Sequence, residues 1–151
     1  MQYKQYTHQY WINEAINIAK SVTDEVPVCA FIVKDNKVIS KAVNKTENLL
    51  DVTAHAEILA IKEAAKSLDN WRLTDCVLYS TLEPCAMCVG AIINSRISKL
   101  IFSAYDYNCG ACSSKVNLFK ELNKNDQVEI IGGILELESS DLLKSFFMTK
   151  R

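Results

Sequence analysis

Two short segments constrain this chain more than any other feature of its sequence. The first reads His55-Ala56-Glu57 and the second reads Pro84-Cys85-Ala86-Met87-Cys88. Cys85 and Cys88 are three residues apart, so on a helix they share one face, where a zinc ion can take both thiolates at about 2.3 Å. Each segment resembles half of a site, and the fold must therefore bring the two together.

His55 and Glu57 are two residues apart, which in the middle of a helix places them on nearly opposite sides. In the first turn of a helix, however, both side chains can reach a metal ion that lies beyond the helix end. His55 then supplies a third ligand and leaves the fourth tetrahedral position for water, as in catalytic zinc sites. We therefore predict one zinc ion held by His55, Cys85 and Cys88.

The combination of His-x-Glu with Pro-Cys-x-x-Cys is the signature of zinc-dependent nucleobase deaminases. Two thiolates and a neutral imidazole formally cancel the charge of zinc, so we infer that the ion acidifies its water weakly and needs a base. Glu57 fits this role: it can accept the water proton, pass it to a ring nitrogen and protonate the departing ammonia. The sequence thus predicts a hydrolytic enzyme with Glu57 as its catalytic residue.

Composition limits the remaining possibilities. The chain has 151 residues, of which 49% are hydrophobic, so we expect one domain over residues 1–151. No secretory signal or membrane-spanning run is visible, which predicts a cytoplasmic protein without membrane contact. Six cysteines in that compartment favour metal binding over a disulfide framework. The formal net charge of −1 offers no global attraction for nucleic acid and favours a small substrate.

Hydrophobic periodicity and turn residues predict ten elements in the order α-β-β-α-β-α-β-α-β-α. Asp35-Asn36 fits a hairpin turn, Thr53 can cap the second helix, and Pro84 suits the first position of the third. Helices interleaved with five strands imply an α/β fold with a sheet covered on both faces. The predicted elements are Tyr10–Val22, Pro27–Val33, Lys37–Val43, Thr53 to about Leu68, Cys76–Thr81, Cys85 to about Ser95, Leu100–Ala104, Val116–Leu122, Val128–Ile134 and Asp141–Met148.

The chain resembles the bacterial tRNA-specific adenosine deaminases of the cytidine deaminase-like superfamily over nearly its whole length. This resemblance implies a three-layer α/β/α cytidine deaminase-like fold with a five-stranded mixed sheet, and a homodimer with one zinc ion per subunit. The implied substrate is the wobble adenosine of a tRNA anticodon stem-loop, which is converted to inosine. The matching stretches are Glu25-Val26-Pro27-Val28, Thr53-Ala54-His55-Ala56-Glu57, Trp71-Arg72-Leu73, Thr81-Leu82-Glu83-Pro84-Cys85-Ala86-Met87-Cys88, Ser95-Arg96-Ile97, Asp106 and Phe146-Phe147.

The resemblance also implies a set of substrate-binding residues. Asn44 would hydrogen-bond the flipped base, and Asp106 would lie near a ribose. Ala54, Leu82 and Glu83 would line the same pocket, the last two through their backbone. Without the resemblance, Asn44 and Asp106 are more simply interpreted as turn-forming polar residues in loops.

Four positions depart from the family pattern without touching the zinc motifs. Cys29 and Ser103 stand where the family usually has glycine, and Val52 where it usually has proline. Asp126 replaces a usual histidine, which exchanges a possible cation for an anion and disfavours a nearby phosphate.

Two alternatives remain open from the sequence. The first keeps the chemistry and changes the substrate to a free nucleobase or nucleoside, such as guanine, cytosine or cytidine. The second is a non-catalytic structural zinc module, in which Cys109 and Cys112 join Cys85 and Cys88 in a four-cysteine site. That module would leave His55 and Glu57 without a role.

Overall fold

The structure, a computed structural model, describes residues 4–122 and 127–150. Asp126, one of the four departures from the family pattern, lies outside the described residues. Among the described residues, no helix combines the length and the apolar character needed to cross a lipid bilayer.

Five strands form one mixed sheet with the order β2-β1-β3-β4-β5. β1 pairs antiparallel with β2 and with β3, whereas β3, β4 and β5 are parallel to one another. Asp35 and Asn36 join β1 to β2 with φ values of 51° and 61°, as expected for the turn of a tight hairpin. The strands are β1 Cys29–Lys34, β2 Lys37–Val43, β3 Val77–Leu82, β4 Lys99–Ala104 and β5 Glu129–Ile131.

Six helices accompany the sheet in the described part of the chain. Five of them follow the predicted order. The additional helix, α2, is a single turn between residues 44 and 52, for which no element was predicted. The helices are α1 His8–Ala19, α2 Thr46–Leu49, α3 Ala56–Ser67, α4 Ala86–Asn94, α5 Leu118–Leu122 and α6 Glu136–Thr149.

Alternating side chains of the strands build a hydrophobic core on each face of the sheet. Phe31 and Val33 of β1 pack with α1 on one face. Ala30 and Ile32 point to the other face, where α3 and α4 pack. This period of two is the ordinary consequence of strand geometry. The predicted three-layer α/β/α architecture is therefore confirmed.

Two predicted helix starts are wrong by a few residues. Thr53 does not cap α3, because its amide and hydroxyl both donate to the Asp51 carboxylate. The N-cap of α3 is His55. Pro84 likewise precedes the helix, since Cys85 is the N-cap of α4. His55 and Cys85 therefore lie at the N-caps, and Glu57 and Cys88 follow within the first turns of the same helices.

The predicted bounds of β2 are confirmed, most other boundaries differ by one to three residues, and the largest difference is at α6. This helix begins at Glu136, five residues before the predicted start at Asp141. Glu136 and Glu138 occupy its first turn, where acidic side chains interact favourably with the helix dipole. Because Leu137 is the one apolar residue between Glu136 and Ser140, apolar periodicity does not reveal the first turn of this helix.

Candidate metal centre and active-site pocket

The folded chain brings His55, Cys85 and Cys88 together at one end of the sheet. His55 Nδ1 lies 3.6 Å from the sulfur of Cys85 and 3.6 Å from that of Cys88. The two sulfurs are 3.7 Å apart. Among the described residues, this is the group of histidine, cysteine and acidic side chains that could hold a metal ion.

The triangle formed by these three atoms has the dimensions that zinc requires. A tetrahedral zinc ion with ligand bonds of about 2.3 Å to sulfur and 2.1 Å to nitrogen places two sulfurs about 3.8 Å apart and a sulfur and a nitrogen about 3.6 Å apart. The observed distances agree with both values. Two thiolates and an imidazole are also a donor set that zinc prefers, so the residues present fit the ion.

The local backbone explains why these side chains are free to bind a metal. His55 and Cys85 are both N-cap residues in extended conformation, and neither side chain makes a capping hydrogen bond. Their carbonyls instead begin the helices, accepting from Leu59 and Val89. Cys88 is three residues after Cys85, so its side chain lies on the same face of α4 and also reaches the metal site.

Electrostatics at this helix end favour a thiolate. The hydrogen bond shared with Cys88, reinforced by one from His55, outweighs burial and lowers the pKa of Cys85 to about 4. The hydrogen bond with Cys85 in turn raises the pKa of His55. A helix N-terminus acts in the same direction, because its dipole stabilises an anion. The hydrogen bond between Cys85 and Cys88, together with burial, raises the pKa of the Cys88 thiol, so this helix end favours one thiolate, at Cys85.

Glu57 lies beside the metal-ligating atoms and is almost fully buried. Its Oε2 is 3.5 Å from the Cys88 sulfur, and its Oε1 is 3.0 Å from the hydroxyl of Ser80. Burial raises the pKa of Glu57. A buried carboxylate with a raised pKa is suited to taking up and releasing a proton.

Ser80 was missed by the sequence analysis. Its hydroxyl lies on β3, fully buried, 2.7 Å from the Leu82 carbonyl oxygen as well as 3.0 Å from Glu57. With one proton to donate, the hydroxyl can serve either acceptor. The signal was a serine at a position that strand alternation places on the inner face of β3, where polar residues are uncommon.

A cavity of about 270 Å³ opens in front of the metal-ligating atoms. Of the predicted substrate-binding residues, Asn44, Leu82, Glu83 and Asp106 line it. A larger groove of about 840 Å³ along β2 contains none of the metal-ligating residues. The residues that line the smaller cavity are Val26, Val28, Asn44, Thr46, His55, Ala56, Glu57, Leu82, Glu83, Cys85, Asp106 and Cys109.

Ala54 does not line this cavity. It is buried, and its carbonyl accepts a hydrogen bond of 2.9 Å from the amide of Lys45, the residue after Asn44. Sequence reasoning also missed five lining residues, namely Val26, Val28, Thr46, Ala56 and Cys109. Nothing in the local sequence around these residues predicts that they line the cavity, because their positions depend on how distant segments of the chain fold together.

Asn44 and Asp106 lie on two different segments of the cavity wall. Asp106 keeps the role of a turn residue, since its Oδ1 accepts from the amides of Asn108 at 3.0 Å and Cys109 at 3.1 Å. The segment after Asn44 is held by the buried carboxylate of Glu25. This carboxylate accepts from the amides of Glu47 at 3.2 Å and Asn48 at 2.6 Å.

Glu83 holds the segment that carries Asp106. Its carboxylate accepts from the amides of Asp106, Cys112, Ser113 and Ser114, at 3.0–3.1 Å, and from the Ser114 hydroxyl. Burial opposes the charged form, but these hydrogen bonds outweigh it and lower the pKa of Glu83. The side chain of Glu83 is therefore directed at the loop, although the residue borders the cavity.

Among the described residues, the remaining cysteines and family departures do not belong to the metal-ligating triangle. The Cys112 thiol donates to the Pro84 carbonyl at 3.8 Å, which does not support the four-cysteine alternative. Cys29 is buried at the start of β1, Ser103 donates to the Leu135 carbonyl, and Val52 is exposed. Since none of these three departures lines the cavity, they do not alter its wall directly.

Comparison with known proteins gives a consistent result. The zinc-binding region of the cytidine and deoxycytidylate deaminases matches residues 5–104. A tRNA-specific adenosine deaminase from Bacillus subtilis is 41% identical over 145 residues, covering 95% of this chain and 90% of the relative. The corresponding protein from Aquifex aeolicus is 47% identical, covering 95% of both chains.

Solved structures agree with these relatives. A structure described in a study of A-to-I editing by tRNA:A34 deaminases at the wobble position has 39% identity and a TM-score of 0.83, covering 88% of this chain and 98% of its own. A guanine deaminase from Bacillus subtilis has 30% identity and a TM-score of 0.66, covering 80% and 78%. The chain therefore belongs to the zinc-binding cytidine and deoxycytidylate deaminase family and, within it, to the tRNA-specific adenosine deaminases.

Proposed function

We propose that this protein hydrolyses the wobble adenosine of a tRNA anticodon stem-loop to inosine and ammonia. The observation that carries the proposal is the triangle of His55, Cys85 and Cys88 with the buried carboxylate of Glu57 beside it. Together these groups supply a metal site and a proton carrier within one small cavity. The relatives described above support tRNA as the substrate.

The proposed chemistry divides between the metal site and Glu57. Zinc held by the three ligands would supply a Lewis acid that acidifies a water molecule. The Glu57 carboxylate accepts a proton from this water and delivers it to N1 of adenine, which makes C6 more electrophilic. The water oxygen bonds to C6, and Glu57 then takes the second proton from this oxygen and passes it to the amine. The C6–N bond breaks, ammonia leaves and the C6 oxygen becomes the carbonyl of inosine.

We assign the remaining cavity residues to holding the extruded base. The Asn44 side chain and the backbone at Leu82 and Glu83 supply hydrogen-bonding groups, and Asp106 lies on the ribose side. Ala54 contributes indirectly, because its carbonyl holds the amide of Lys45 next to Asn44. Such a base must leave its stack before it can enter a cavity of this kind.

The test is ammonia release by the zinc-loaded protein from an anticodon stem-loop that contains a wobble adenosine. The matched control is the same stem-loop with guanosine at the wobble position, and adenine, adenosine, guanine and cytidine are assayed alongside. We expect ammonia and inosine from the adenosine stem-loop alone. Turnover confined to free bases or nucleosides would refute tRNA as the substrate.

A guanine deaminase is the second candidate, because the solved guanine deaminase with 30% identity covers most of this chain. The formal net charge of −1 also agrees with a small, uncharged substrate. The same assay separates the two functions, since free guanine releases ammonia only if this candidate is correct.

We further propose that the chain is one deaminase domain that acts as a homodimer in the cytoplasm. α4 carries no charged residue, and its Ala86 and Met87 are exposed. A side chain added at Gly90, on the same helix, would meet no other atom within 4 Å. Exposed apolar helix faces commonly pack against a second subunit. Sedimentation should give a dimer mass, and Gly90→Arg should give a monomer that keeps its zinc.

A further inference from the structure

We propose that Glu83 is a positioning residue, which sets one wall of the substrate pocket by holding residues 106–114 and does not contact the base through its carboxylate. The inference rests on the proposed function, because it concerns the wall that would face the substrate. The family resemblance implies only that the backbone at Leu82 and Glu83 lines the pocket, and the proposal adds a role for the carboxylate of Glu83.

The carboxylate of Glu83 is fully engaged in hydrogen bonds with the loop. Four backbone amides and one hydroxyl from residues 106–114 donate to its two oxygens. A carboxylate offers about four lone-pair positions, so these five donors occupy its accepting capacity. Only 2% of Glu83 is exposed. An amino group of the substrate would therefore find no free acceptor on this side chain.

Gly110 shows how closely the loop is fitted to Glu83. A Cβ atom at this position would overlap the carbonyl oxygen of Asp106 and the carboxylate of Glu83. The amide of Gly110 donates to that same Asp106 carbonyl at 2.8 Å. The close approach of backbone to carboxylate thus depends on the absence of a side chain at Gly110.

The loop is also joined to the segment that carries a metal ligand. Gly110 forms an isolated antiparallel bridge with Cys85, and the amide of Ala111 donates to the Pro84 carbonyl at 2.9 Å. Asp106 and Cys109, which line the cavity, are consequently held near Cys85 by two sets of contacts. One set is with the carboxylate of Glu83, and the other is with the backbone of Pro84 and Cys85. Loss of the carboxylate should displace the wall while the metal-ligating triangle stays in place.

Glu83→Gln is the direct test, because it preserves size and replaces one acceptor oxygen with an NH₂ group that faces the donating amides. We expect KM for the anticodon stem-loop to rise about tenfold, the order of one lost charge-assisted hydrogen bond, with kcat little changed. Bound zinc should remain at one per chain. Hydrogen exchange at the amides of Cys112, Ser113 and Ser114 should accelerate.

Ser40→Ala is the matched control. It removes a buried hydrogen bond of 2.7 Å between the Ser40 hydroxyl and the Ala60 carbonyl, which joins β2 to α3 away from residues 106–114. This variant should lose stability without changing KM or exchange in the loop. If Glu83→Gln does not fold, Ser114→Ala removes only one of the five donors and should give a smaller change of the same kind.

Two results would overturn the proposal. One is a higher KM in Glu83→Gln with unchanged exchange at residues 112–114, which would indicate direct contact with the base. The other is a loss of kcat at constant KM. Exchange and zinc content are measured without substrate, so failure of the wild-type protein to act on the stem-loop refutes the proposed function and leaves the test of loop positioning intact.

Discussion

The cavity has two halves that are built by different means. The metal half consists of His55, Glu57, Cys85 and Cys88, which lie at the N-termini of α3 and α4. The loop wall consists of Asn44, Thr46, Asp106 and Cys109, which lie on segments without long regular structure. In the metal half, helix N-caps place the ligands. In the loop wall, buried carboxylates from distant parts of the chain hold the backbone.

This difference separates chemistry from binding. A helix end determines the direction of a side chain within one turn, so the metal half depends on few distant residues. The loop wall depends on Glu25, which holds residues 46–48, and on Glu83, which holds residues 106–114. We therefore expect substitutions in the metal half to change zinc content or kcat, and substitutions in the loop wall to change KM.

The largest effect should come from His55→Ala. Removal of one of three protein ligands should reduce bound zinc from one per chain to near zero, measured by elemental analysis, and turnover should fall below detection. Cys109→Ser is the control, because this residue lines the cavity without belonging to the ligand triangle. Zinc loss in Cys109→Ser with zinc retained in His55→Ala would refute the division between the two halves.

Glu57→Gln should have the next largest effect. The amide cannot carry the proton, so kcat should fall by about 10²- to 10⁴-fold, the usual contribution of a general acid or base. Zinc should remain bound, since Glu57 is not one of the three ligands. Near-normal kcat in a zinc-loaded variant would remove Glu57 from the mechanism, whereas loss of zinc would place it among the ligands.

The same division explains what the sequence could predict. His55-Ala56-Glu57 and Cys85-x-x-Cys88 are local patterns at helix starts, and local spacing determines which side chains can meet. Their distances in the structure agree with a single tetrahedral ion. In this half, sequence reasoning missed Ser80 and erred on the cap residues, because Thr53 and Pro84 are typical helix-start residues whose backbone here precedes the helix.

The loop wall could not be predicted in this way. The contacts of Glu83 span 23 to 31 residues and depend on how the loop after β4 folds back over Pro84. Cys109 carries no local signal for its position in the cavity wall. The order of strands and helices was predictable because hydrophobic periodicity reports burial, but it does not report which loop covers which strand end.

Asn44→Ala should have a moderate effect confined to binding. Loss of one side-chain hydrogen bond to the base predicts a KM about tenfold higher for the anticodon stem-loop, with zinc content unchanged. Asn48→Ala is the control, because Asn48 is exposed on α2 and does not line the cavity. A comparable fall in kcat at constant KM would show that the loop wall takes part in the chemical step.

Chemical modification of Cys109 should have the smallest effect on KM. It should also distinguish the loop wall from the metal half most clearly. Cys109 is exposed, whereas Cys29, Cys76 and Cys112 are buried, and burial raises the pKa of Cys29 to about 12. With Cys85 and Cys88 bound to zinc, a thiol reagent should label one cysteine rapidly, and Cys109→Ser should remove this rapid phase.

Methylation of Cys109 should then raise KM by less than Asn44→Ala does, because it adds bulk to the wall without removing a hydrogen bond. Zinc content and kcat should stay unchanged, since no ligand is modified. Rapid labelling that persists in Cys109→Ser and is accompanied by zinc release would show that Cys85 or Cys88 is the accessible thiol. The metal half would then be the more mobile part of the cavity, contrary to its placement by two helix ends.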